Sequence, residues 1–257
     1  MFWRLGGTAL AAWLALAAPS GPALHYHAEV SLVTQFSVDV WVEGDRARLD
    51  VQNSNDPNLA VGTTLLTADR GETLVVVNPA RQEFFSLPRS VILGFKVREA
   101  ERRHVTADPI ASEKVGEDAG PELLGYPTRH LRFHLRLATR QPTASGELQA
   151  SMEVFEHFWL TSEIPRHNTD LAMLSDSSAT GVPSLDEFLR NQVLELPGFI
   201  LKRTMVLTVD DAQNSRRVIR SAYEVTQLAT ADAAAGLFEV PEGFHERVPQ
   251  GPAAPPR

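Results

Sequence analysis

From His130 to Leu137 apolar and polar residues alternate without a break, with Leu131, Phe133, Leu135 and Leu137 on one side and His130, Arg132, His134 and Arg136 on the other. A period of two is that of a strand with one buried face. After the turn-rich Gln141-Pro142-Thr143-Ala144-Ser145-Gly146, the pattern resumes: Leu148, Ala150, Met152 and Val154 share a face, and Glu147, Gln149, Ser151 and Glu153 share the other. The two runs predict a hairpin with one dry face and one wet face. A one-residue slip would turn every side chain over, so only alternate registers are allowed. One such register sets Arg132 against Glu153, and the next sets Arg136 against Glu147. Either offers cross-strand charge pairs of roughly 0.2 to 1 kcal/mol.

Shorter patterns precede this hairpin. Leu24, Tyr26, Ala28, Val30 and Leu32 alternate with His25, His27, Glu29 and Ser31, and Phe36, Val38, Val40 and Val42 make a second strand. Glu43-Gly44-Asp45 reads as a tight turn into Ala47, Leu49 and Val51, with Gly supplying the positive φ such turns need. Asn53 to Gly62 is a loop by composition. Further hairpins turn at Asp69-Arg70-Gly71 and at Asn78-Pro79 before Glu83-Phe84-Phe85. Hairpins following one another at this spacing mean an antiparallel meander.

Helical signals interrupt the strands twice. Ser90 heads a predicted helix running to about Glu101, with Val91, Ile92 and Phe95 on one side. Ser184 and Glu187 make a capping-box pattern ahead of Leu185, Phe188, Leu189 and Val193, and Pro197-Gly198 stops that helix. The Ser, Asp, Thr and Asn content between Thr161 and Pro183 predicts a mobile loop. Phe199 to Val209 and Arg217 to Leu228 read as two more strands joined at Asp210-Asp211-Ala212-Gln213-Asn214, and Gly236 to Phe244 as a terminal docking segment.

A large antiparallel sheet with one apolar face must bury that face, and two short helices are all the pattern offers. The fold expected is mainly β (α+β): a curved antiparallel sheet, or incomplete β-barrel, with a short helical lid. Such an architecture leaves an apolar cavity, for which the candidate lining is Val40, Leu131, Phe133, Met152, Val154, Phe158, Trp159 and Met205. Beyond Val154 both faces of the second hairpin strand turn apolar through Phe155, Phe158 and Trp159, which implies a bulge or burial on two sides. Two-sided burial against the lid would make this the cavity mouth. The plainer alternative is core packing beneath a helix.

Residues 1–23 carry an export signal, with Arg4 ahead of an apolar run from Leu5 to Ala18 and small residues at Gly21 and Ala23 suited to cleavage. The run is too short to span a bilayer, which takes roughly 20 apolar residues. The expectation is therefore a periplasmic or secreted protein with one domain over residues 24–248, no transmembrane segment in the mature chain and a disordered Pro-rich tail over 249–257. The whole chain has 257 residues and a net charge of −8 with its basic residues scattered, which argues against a nucleic-acid partner. It contains no cysteine, so disulfides, thiolate metal sites and cysteine nucleophiles are excluded.

Catalytic signals are equally thin. No G-x-S-x-G elbow and no H-E-x-x-H occurs. His25 and His27 share a strand face beside Glu29, as do His130 and His134, but zinc needs three or four converging ligands and the spacing brings together only pairs. The reading is no catalytic residues, no metal and no cofactor, hence not an enzyme.

Five stretches resemble the LolA/LolB-like superfamily of bacterial envelope proteins, and most closely an uncharacterised family within it. They are Trp41 to Asp50, Val75 to Leu87, Glu113 to Phe133, Met152 to Pro165 and Gly236 to Phe244. The resemblance implies an incomplete antiparallel barrel under a helical lid, holding a lipid or acyl chain in the envelope. It also leaves open a second role, a module that senses or regulates an envelope protein partner. No lipidated cysteine like that of the superfamily's membrane-anchored acceptor is present.

Overall fold

The computed structural model describes residues 22–31, 34–57, 59–102, 104–108, 111–144, 146–165, 168–177, 181–211 and 215–247. The predicted export signal, except for its last two residues, and the Pro-rich tail lie outside these. Six strands open the chain as a meander: β1 (Ala23–Ser31), β2 (Gln35–Glu43), β3 (Arg46–Ser54), β4 (Thr64–Thr67), β5 (Thr73–Asn78) and β6 (Glu83–Pro88). Each is antiparallel to the one before. Helix α1 (Arg89–Arg102) leads to β7 (Thr106–Ala107), β8 (Ala111–Ala119), β9 (Arg129–Thr143) and β10 (Gly146–Thr161). Helices α2 (Thr169–Ser177) and α3 (Pro183–Glu195) precede β11 (Phe199–Asp211), β12 (Arg216–Ala231) and β13 (His245–Glu246).

All these strands form one curved sheet that does not close into a barrel, in the order β13-β6-β5-β4-β3-β2-β1-β12-β11-β10-β9-β7, with β8 also on β9. The β1–β12 pairing joins the early meander to the late one, and at the far edge β13 runs parallel to β6. Among the described residues no helix is long and apolar enough to cross a membrane.

Alternation decides which face of each strand is dry. Leu24, Tyr26, Ala28 and Val30 of β1 share the core with Val38, Val40 and Val42 of β2 and with Ala47, Leu49 and Val51 of β3. Leu171, Ala172 and Met173 of α2 and Val193 of α3 close over them. This dry side is the inner face of the sheet. Each fully buried Leu, Val or Phe there is worth roughly 1.5–3 kcal/mol of transfer free energy. The β2–β3 turn falls where expected, Gly44 taking φ 59°.

The structure corrects several expectations. In the long hairpin Glu153 lies opposite Arg136, Val154 opposite Leu135 and Phe158 opposite Leu131, so neither anticipated register forms although the faces match as required. The turn is tighter than the composition suggested, because strand pairing runs on to Thr143 and Gly146. Arg132 instead meets Asp118 at 2.9 Å and Arg136 meets Glu113 at 3.5 Å, both on β8, while Glu153 accepts from His134 at 2.8 Å. Strand β8 itself has no apolar alternation and was not anticipated. Its charged side chains match the basic outer face of β9.

The stretch between Thr161 and Pro183, expected as a loop, contains α2. Its start is fixed by Asn168, whose Nδ2 donates to the carbonyls of Val193 at 3.1 Å and Gly198 at 3.2 Å. Tertiary contact here overrides a composition that favours turns. In α3 the cap is Val182, Pro183 occupies the first turn, and Ser184 makes no capping bond, so the capping box does not form. Asp186 accepts from the Gly181 amide at 2.9 Å instead. Gly198 ends this segment at φ 144°, and a Cβ there would stand 2.6 Å from the Thr161 carbonyl oxygen. Only glycine fits so close an approach.

Candidate functional site

Three cross-strand rows of the inner face run over β9, β10, β11 and β12, away from α2 and α3. The first is Phe133, Glu156, Met205 and Ser221; the second Leu135, Val154, Leu207 and Ile219; the third Leu137, Met152, Val209 and Arg217. Leu135, Leu137 and Val154 are buried, whereas Met152, Met205, Leu207 and Val209 are half-buried and Ile219 is exposed. The result is a partly uncovered apolar strip leading down to a single acidic side chain.

That side chain, Glu156, has no solvent exposure. The register places Phe133 and Met205 on either side of it. Arg203 Nε donates to Glu156 Oε1 at 3.1 Å, and Arg203 Nη2 donates to the same oxygen. Oε2 is buried and has no hydrogen-bond partner. The Arg203 side chain is 18% exposed, and its guanidinium lies over the Phe158 ring at 5.5 Å. A buried ion pair is weak as a stabilising device, because removing two charges from water offsets most of their attraction. An unpaired carboxylate oxygen adds a further penalty.

Seven of the eight candidate lining residues point to the inner face: Val40, Leu131, Phe133, Met152, Val154, Phe158 and Met205. They do not form one cluster. Val40, Leu131 and Phe158 belong to the sealed core, with Phe133 packed against it, and Met152 and Met205 lie in the open strip. Trp159 is a correction, because it lies on the opposite face and stacks on His130 with centroids 4.5 Å apart. Phe155, 38% exposed, likewise stacks on His134 at 4.2 Å. The apolar second face of β10 is thus an aromatic–imidazole ladder, stabilised by direct cross-strand pairing and not by a lid. The bulge that the pattern allowed occurs at Trp159/Leu160 in the pairing with β11.

The outer-face histidines make polar pairs. His130 Nε2 lies 2.9 Å from His157 Nδ1, and its Nδ1 lies 3.0 Å from Asp118. Burial, then the neighbouring His130 and Arg132, hold His157 below the usual imidazole range. His27 pairs with Asp39 at 2.8 Å, and His25 stacks on Trp41 at 4.1 Å. Among the described residues no group of three or more His, Asp or Glu side chains is arranged to hold a metal ion.

A second buried acid belongs to the lid. Asp170 of α2 accepts from Tyr223 Oη at 3.1 Å, with the buried Tyr26 hydroxyl beside the pair in the same core. Burial pushes the Asp170 carboxyl up to about 6, and burial together with Asp170 raises both phenols well above their ordinary value.

Glu156 and Arg203 were missed from the pattern, although a signal was there. Glu156 falls on the apolar parity of Met152, Val154, Phe158 and Leu160, and Arg203 on that of Leu201, Met205, Leu207 and Val209. A charge at the parity of a buried face is either an error of register or a site. No protein-family model matches the chain, and no curated protein matches it significantly.

Proposed function

We propose that this chain is a non-enzymatic binding or carrier protein of the bacterial envelope, exported by its N-terminal signal, that holds a lipid or other amphipathic ligand against the inner face of its open sheet, as in the LolA/LolB-like superfamily. The observation that carries this reading is the part-open strip of half-buried Met152, Met205, Leu207 and Val209 and exposed Ile219 beside a fully packed core. Apolar side chains on an inner sheet face are normally covered, and a strip left part-open suits an apolar ligand. Its two methionines suit acyl chains of varying shape, being unbranched and adaptable.

The test is mass spectrometry of organic extracts from the protein purified without detergent, beside Met152→Trp, which fills the strip. Near-stoichiometric lipid from the wild type, absent from a folded variant, is the expected result. A wild type that is folded, empty and unresponsive to added lipid would overturn the carrier reading in favour of the alternative, an envelope protein partner.

A further inference from the structure

We propose that the Glu156–Arg203 pair is the recognition site for the head of a neutral, hydroxyl-bearing amphiphile whose apolar body lies along Met205, Leu207 and Val209. The assignment rests on the carrier reading and narrows it to a ligand class. The inner face surrounding the pair is apolar on most sides: Phe133 and Met205 flank Glu156 across the strands, Val154 and Phe158 flank it along β10, and Phe158 and Tyr223 flank Arg203. Replacing such a pair by well-packed apolar residues is commonly neutral or stabilising, so the fold alone gives no reason for it.

The bonding state of the pair defines what it recognises. Both Arg203 contacts converge on Oε1, leaving Oε2 of a fully buried carboxylate as an acceptor without a donor. Oε2 is therefore the vacant position of the pair. The pair is neutral as a whole. A hydroxyl gives its proton to Oε2 and satisfies it. A carboxylate has no proton for Oε2 and meets its charge, an ether or ester has no proton to give, and a quaternary ammonium has neither donor nor acceptor. Met205 is the flexible neighbour whose rotation opens the way to Oε2 from the strip.

Titration calorimetry of the delipidated full chain with 1-decanol, decyl methyl ether and decanoate separates these cases. The alcohol should bind at least about tenfold tighter than the ether, in which a methyl group replaces the hydroxyl proton, and tighter than decanoate. The double variant Glu156→Leu/Arg203→Met, which keeps the site apolar and paired in volume, should bind the ether and bring alcohol and ether within about twofold. Equal binding of alcohol and ether by the wild type, or a preference that survives in the double variant, overturns the assignment and leaves the carrier reading standing. Failure of all three compounds to bind the wild type overturns both. The wild-type comparison requires no variant to fold.

Discussion

Two parts of the same inner face are built to different standards. Helices α2 and α3 seal an apolar layer over β1, β2, β3 and the start of β11, in which Tyr26, Leu49, Phe199 and Ile200 are fully buried, with Phe199 edge-on to Tyr26 at 5.3 Å. Over β10, β11 and β12 the same alternation continues, yet Met152, Met205, Leu207 and Val209 are only half-buried and a charged pair sits among them. The difference lies in what covers the sheet. One continuous sheet with an apolar face receives helices over part of it, so the packed part carries the stability and the remainder is free to serve another purpose.

The contrast is broken most directly by Phe199→Ala, which should cost about 3–5 kcal/mol in chemical denaturation, as buried aromatics do. A loss below about 1 kcal/mol would mean that the lid side is not the packed core. Asp170→Asn comes next. Because the Asp170 carboxyl is raised from 3.8 to about 6 in the fold, its contribution is complete below the lower value and is lost as pH rises through the upper one. At neutral pH the buried charge costs roughly 3 kcal/mol, so the variant should be the more stable there and the difference should vanish near pH 4. Thermal melts from pH 4 to 8 measure this, and parallel pH profiles for the two proteins would sink it.

On the open side Met205→Ala should cost only about 1 kcal/mol, since the side chain is half-buried and its neighbours can relax, while weakening ligand retention in the extraction experiment. A cost comparable to that of Phe199→Ala would show the strip to be ordinary core. The smallest effect belongs to the outer face, where Phe155→Ser removes one stacking contact and should change stability by about 0.5 kcal/mol without altering ligand content.

Much of this was legible along the chain. The meander of β1 to β6, the long β9–β10 hairpin with its faces, α1 and α3 all follow from period-two and period-3.6 patterns, which are local properties. The failures are instructive in the same terms. Strand β8 has no apolar period and exists because Glu113 and Asp118 meet His130, Arg132, His134 and Arg136 across the ladder. Helix α2 is short and turn-like in composition, and it forms where Leu171, Ala172 and Met173 find the inner face and Asn168 ties its start to α3 and β11. Trp159 and Phe155 looked like pocket residues because apolarity on a strand says nothing of which neighbour covers it. Opposed histidines on β9 supply that cover.

The sequence by itself determined which side of each strand is dry, because side chains alternate with the backbone and a slip of one residue would bury charge. It also determined that Glu156 and Arg203 break that rule, each standing on an apolar parity. Only the tertiary structure decided that these two meet, since their bond depends on the register between β10 and β11, set by many backbone pairs acting together. It also decided where the helices lie over the sheet. That placement follows from the summed burial of the whole inner face, a quantity that no single stretch of chain contains.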